Sequence, residues 1–61
     1  MERGEVELFL ERKCKVYTYN NFKFEGKILS VGETSLIIDD IKGMRSLQHS
    51  EVKDIKEVHR W

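Results

Sequence analysis

A second cysteine is absent from these 61 residues, so Cys14 cannot enter an internal disulfide. A lone thiol fits a reducing compartment, where cysteines stay free, and its commoner use is as a small buried apolar side chain. Metal ligands are equally scarce. Cys14, His49 and His59 include no pair at zinc-finger spacing, and neither a metal nor another cofactor is expected. No apolar run approaches the roughly 20 residues of a membrane span, and Met1-Glu2-Arg3-Gly4-Glu5 lacks the apolar core of a secretory signal. These absences lead us to expect a cytoplasmic protein that does not enter a membrane. Excess charge is missing too, since eleven basic side chains cancel eleven acidic ones. Many nucleic-acid binders are clearly basic, so a neutral subunit that holds phosphates must concentrate its cations on one surface.

Signatures of catalysis are also missing. No nucleophile stands at motif spacing from a base, and no glycine-rich phosphate loop occurs. Asp39-Asp40 reads as a strand end entering a turn rather than as an acid/base pair. No enzymatic activity is expected.

Sixty-one residues make a single domain, 1–61. A chain this short buries only about 60% of the surface that its unfolded form exposes, so its core is thin. Natural domains of this size lean on disulfides, a metal or oligomerisation. With the first two set aside, oligomerisation remains.

Hydrophobic spacing then orders the chain. Val6, Phe9 and Leu10 fall three and four apart, which predicts one short helix within 5–12, with Glu2, Glu5 and Glu7 near the positive end of its dipole. After Lys13 the period becomes two. Cys14, Val16 and Thr18 alternate with Lys15, Tyr17 and Tyr19, a strand rich in β-formers. Asn20-Asn21 predicts a two-residue hairpin turn. A return strand runs through Phe22, Phe24 and Ile28 to Val31; Gly26 inside it marks a bulge, a bend or a close backbone approach, and is expected to let the long strand curve. Gly32-Glu33 turns into a third strand at 35–39. Asp40-Ile41-Lys42-Gly43 predicts a type I turn closed by a glycine at positive φ. A fourth strand follows at 44–49, and Val52, Ile55 and Val58 mark a fifth. Trp61 is expected to pack against a neighbour. The fold expected is mainly β: a short N-terminal helix, then a strongly bent five-stranded antiparallel sheet closed into a small barrel, which removes most exposed edges.

This order of elements resembles the Sm and Sm-like (LSm) family. Asn20-Asn21-Phe22-Lys23-Phe24-Glu25-Gly26-Lys27-Ile28 is similar to the core of the family's first motif, and Leu47-Gln48-His49-Ser50 is similar to the second motif in its bacterial Hfq form. The comparison runs without a gap from Val16 to Ser50, a little over half the chain. It implies a homo-oligomeric ring, expected to be a hexamer, in which strand four of one copy pairs with strand five of the next. It also implies an RNA chaperone or post-transcriptional regulator that binds single-stranded A- or U-rich RNA. The rival expectation is an Sm-like or SH3-like barrel serving as a protein-interaction or assembly module without RNA, because small barrels host many unrelated functions.

Residue by residue, the resemblance implies a pore-side RNA site at His49, Gln48, Thr34 and Ser35. Two of these depart from the family's pattern. Gln48 stands where the family carries a lysine and so brings no charge. Thr34 stands where it carries an aromatic ring, and the loss of that ring forfeits about 1–3 kcal/mol of stacking per base. The opposite face would use Tyr17, Asn21, Phe22, Lys23 and Glu25, with Tyr17 stacking on a base and Lys23 meeting phosphate. Phe24 is expected in the barrel core. Glu25 replaces an adenine-reading glutamine with a carboxylate that repels phosphate. Arg12, Lys13 and Lys15 fall near the family's basic outer rim. The blander reading gives His49 and Gln48 the task of holding a tight turn and a subunit contact, and Arg12, Lys13 and Lys15 an ordinary solvated face.

Overall fold

The period-two stretch forms the expected first strand. β1 (Lys13–Thr18) turns Cys14, Val16 and Thr18 into the interior and Lys13, Lys15 and Tyr17 to the opposite face. In the computed structural model, which describes residues 1–58, four more strands follow: β2 (Lys23–Val31), β3 (Ser35–Asp40), β4 (Gly43–Gln48) and β5 (Val52–Glu57). They make one antiparallel sheet in the order β4-β3-β2-β1-β5, preceded by the short helix α1 (Arg3–Glu7). Among the described residues neither β4 nor β5 has a strand beyond it, so the sheet has two open borders. Trp61 and His59 lie outside the described residues.

The helix is shorter than its apolar spacing predicts. Beyond Glu7 the N–H groups of Leu8, Phe9, Leu10 and Arg12 bond to carbonyls three residues back instead of four. Turns of that kind bring residues three apart into line. Val6 is therefore buried and Phe9 packs against the core, while Leu10, which needed a four-residue step, is 41% exposed. Glu11 then takes a left-handed φ of 63° and reverses the chain. Its N–H reaches the Ile28 carbonyl at 2.8 Å, and the Ile28 N–H returns to Arg12 O at 3.2 Å.

The first hairpin also differs from expectation. Its loop spans 19–22, and only Asn21 adopts a positive φ, 66°. Two interactions account for the widening. The Tyr19 N–H is drawn away to the Glu51 carbonyl (3.1 Å), and Thr18 closes the loop in its place. The Thr18 N–H donates to Phe22 O at 3.0 Å, while its hydroxyl accepts from the Phe22 N–H at 3.2 Å and donates to Phe22 O at 3.3 Å.

β2 is the longest strand and serves two neighbours. Its first half pairs with β1 from Lys23 to Lys27, and its second half pairs with β3 from Gly26 to Val31, with a register shift between Ile28 and Ser30. At the crossover sits Gly26, opposite Cys14 on one side and Asp40 on the other. A Cβ there would overlap the carbonyl oxygen of Asp39. Close backbone approach is thus the reason for this glycine, and the bulge at Leu29 adds to the bend. Across the Ile41-Lys42 turn, Gly43 has the expected positive φ, 126°. β4 stops one residue early because His49 leaves the strand and starts a one-turn 3-10 helix, His49–Glu51.

The interior holds Val6, Cys14, Val16, Ile28, Leu36, Ile38, Leu47, Val52 and Ile55, with Met1, Phe9, Phe24 and Val31 packed against them. The open borders carry small caps of their own. On β5, the alternation that sends the Val58 N–H to Lys13 O turns the Ile55 N–H away from β1, and Asp54 Oδ1 accepts it at 2.9 Å. At the end of β4, Glu51 Oε1 accepts the Gln48 N–H at 3.1 Å.

Gly26→Ala should cost about 3 kcal/mol or more, because backbone rather than a side-chain tip must give way; urea denaturation reads this directly. Thr18→Val removes the hydroxyl from the hairpin and should cost about 1 kcal/mol with little change in urea m-value.

Candidate functional site

Three groups of side chains were singled out from the sequence, and the fold treats each differently. The first gathers where the β2–β3 turn meets the end of β4. Ser35 lies directly across from Gln48, and the His49 N–H donates to Thr34 O at 2.9 Å. The His49 ring lies 2.8 Å through Nε2 from the Gly32 carbonyl, and since a carbonyl can only accept, Nε2 carries the proton. The ring is only 6% exposed, and Nδ1 is buried without a hydrogen-bond partner. His49 thereby fastens Gly32 and Thr34 to the 3-10 turn, as the blander reading has it. Thr34, Gln48 and Ser50 remain exposed in front of it and line an open depression of about 430 Å³, joined by Glu33 and, from the helix side, Glu2 and Arg3. Ser50 and Arg3 were not singled out from the sequence. α1 brings Arg3 in, and nothing in the local pattern of residues 1–8 signals that docking.

The second group divides. Tyr17 faces Lys23 across β1 and β2, and Lys15 faces Glu25, so Tyr17, Lys23 and Glu25 share the sheet face that points away from the core. Phe22 goes elsewhere. Its ring lies 6.5 Å from that of Phe24, which faces Val16 and packs against the core as expected, and Phe22 itself is 63% exposed. The Arg45 guanidinium sits 5.4 Å from the Phe24 ring and pairs with Asp40 at 3.5 Å. Asn21, at the hairpin tip, is exposed and spends its residue on the left-handed turn. On the outward face, Lys56 Nζ lies 5.9 Å from the Tyr17 ring centre, at the long end of cation–π range.

The third group lies where the chain enters β1. Arg12 meets both carboxylate oxygens of Glu57, at 3.1 and 3.3 Å. Lys13 stands opposite Lys27 on β2, and its carbonyl accepts the Val58 N–H. Between these two residues and the core lies Cys14, fully buried, its Sγ donating to Arg12 O at 3.3 Å. Burial pushes the thiol up to about 11, with Glu57 adding to the rise and Arg12 opposing it. A protonated, enclosed thiol is a packing group and not a nucleophile. Among the described residues no three His, Cys, Asp or Glu side chains gather as metal ligands, and no helix is long and apolar enough to cross a membrane.

Cys14 should resist a maleimide at pH 8 in the folded protein and react on denaturation. Its folded pKa of about 11 lies above the unfolded value of 9.0. The stability it contributes is therefore complete below pH 9 and is lost as pH rises through about 11. Cys14→Ala should show a shallower decline over that window in pH-dependent urea melts. His49→Ala should cost about 2–3 kcal/mol, because it empties a buried site and strands the Gly32 carbonyl.

Compared with known proteins, the chain matches no family model, no curated protein and no solved structure.

Proposed function

We propose that the chain is the subunit of a homo-oligomeric ring that binds single-stranded RNA, with the bent sheet acting as a small Sm-like barrel. The observation that carries this reading is the strand order, which leaves β4 and β5 as the two borders. Antiparallel pairing of one copy's β4 with the next copy's β5 would satisfy backbone groups that a lone subunit exposes. Such a contact is head-to-tail, and it closes into a ring when the rotation per copy divides a full turn. Six copies are expected from the resemblance to Hfq-type proteins. That resemblance also supplies the role, an RNA chaperone or post-transcriptional regulator. The thin core supports assembly on independent grounds, since nine buried apolar residues serve the whole domain.

For RNA the support is the outward face around Tyr17 and Lys23, where an aromatic ring lies among cations. A base would stack on Tyr17 and a phosphate would meet Lys23, while Glu25 nearby weakens adenine reading. Thr34, Ser35 and Gln48 would form the second, weaker surface, with His49 positioning them from behind. Repeating such weak sites around a ring gives avidity that one subunit lacks.

A second reading, a protein-interaction or assembly module without RNA, is favoured by the cancelled net charge and by Ile41 and Met44, which are 92% and 72% exposed at the β3–β4 turn.

Light scattering followed by titration of labelled oligo-uridine and oligo-adenine at two salt concentrations separates the readings. A ring-sized mass with salt-sensitive binding is the expected result. A ring that ignores both oligomers favours the interaction module, and a folded monomer at every concentration rejects the assembly.

A further inference from the structure

Cross-strand register puts like charges together on the outward face. Lys15 of β1 stands directly opposite Lys56 of β5, and Lys13 of β1 stands opposite Lys27 of β2. Like charges placed directly opposite on one face destabilise a sheet. A sequence selected for stability alone would put a carboxylate or a threonine in one member of each pair. The described arginines, by contrast, are paired. Among the described residues Arg3, Arg12 and Arg45 each meet a carboxylate, whereas Lys15, Lys23, Lys27 and Lys56 make no ion pair. Carboxylates are present on this face but leave a positive excess. Glu25 faces Lys15, Asp39 faces Lys27, and Asp54 faces Tyr17 with one oxygen already engaged by the Ile55 N–H.

The cations also surround a stacking surface. Tyr17 has Lys23 opposite it, Lys15 two residues away on the same face, and the Lys56 ammonium 5.9 Å from its ring. Acidic residues dominate elsewhere, with Glu2, Glu5, Glu7 and Glu11 along α1 and the turn after it. A chain of zero net charge thus separates its charge in space and concentrates cations beside one aromatic ring.

We infer that Lys15 and Lys56, with Lys27 continuing the line, form a phosphate track on this face that holds the phosphodiester backbone of a single-stranded nucleic acid whose base lies on Tyr17. The inference rests on the RNA-binding reading above and adds the residues that carry the backbone; of these the sequence resemblance places only Lys15, at the outer rim, and none on this face. The repulsion between Lys15 and Lys56 is relieved when an anionic oxygen sits between the two ammonium groups. Each contact displaces counterions from the strand, so its loss shows in the salt dependence as well as in affinity. Because the lysines read charge and not base edges, the effect is the same for every sequence.

The test uses the full chain in its native assembly, with labelled oligo-adenine and oligo-uridine RNA titrated across a salt series. Lys15→Gln/Lys56→Gln should weaken both oligomers about tenfold or more, and should lower the log–log salt slope by about 0.7 for each phosphate contact removed. Its melting temperature should equal or exceed that of the unaltered protein, since repulsion has been removed. Lys42→Gln, on the β3–β4 turn, controls for net charge and should leave the slope in place. If the unaltered protein binds and the double variant keeps its affinity and slope, the track is wrong while the RNA-binding reading stands. A double variant that loses binding together with thermal stability also overturns the track, because the two lysines are then structural. If the unaltered protein binds neither oligomer, both the reading and the track fall.

Discussion

The backbone-to-backbone contact at Gly26 sets the course of the whole sheet. β2 must pair with β1 over its first half and with β3 over its second, and these neighbours lie in different directions. That is possible only where the strand carries no side chain on its inner face, so that the Asp39 carbonyl can sit where a Cβ would otherwise be. The bulge at Leu29 completes the turn. Bending brings Ile28, Leu36 and Ile38 over Cys14, Val16 and Ile55, and nine apolar side chains can then enclose one another in a chain of this size. A flat sheet of the same five strands would leave that set open to water on one side, with only α1 to cover it.

The bend also sorts the polar residues. Because inward and outward positions alternate along each strand, fixing the apolar set on the inside fixes the lysines, Tyr17 and Glu25 on the outside. His49 is an exception to its own chemistry. A titratable ring is buried because one nitrogen holds the Gly32 carbonyl, which ties two turns together across the end of the sheet. The polar surface in front of it, at Thr34, Gln48 and Ser50, owes its shape to this tie.

Much of this was legible in the sequence where a residue's own chemistry decides its place. Alternation at Cys14, Val16 and Thr18 gave β1, and an isolated glycine in a strand pattern pointed to a bend at Gly26, though not to the Asp39 carbonyl that requires it. Positive φ at Gly43 followed from the turn around it. Legibility ended where a distant partner decides. Nothing local in Asn20-Asn21 shows that the Tyr19 N–H is drawn to Glu51, thirty-two residues later, which widens the hairpin. The helix stops at Glu7 because the chain tightens to meet Ile28, and no periodicity within 5–12 contains that residue. Similarly, the sequence resemblance groups Phe22 with Tyr17 on one face, while the widened loop sends its ring to Phe24. Charge is the clearest case. Composition reports zero, and only the register of β1 against β2 and β5 shows the cations meeting on one face.

The two carboxylate caps on the sheet's borders bear on how the chain meets other extended segments. A bare strand border is sticky towards any extended segment, including those of half-made proteins nearby. Asp54 and Glu51 occupy one outward donor each on β5 and beside β4, and they do so reversibly, through short side chains that another backbone carbonyl can displace. The chain is in this way kept from indiscriminate adhesion while its borders stay open to exchange. Selectivity then lies in the exchange itself: only a strand that offers a whole ladder of bonds gains enough to displace the small local ones.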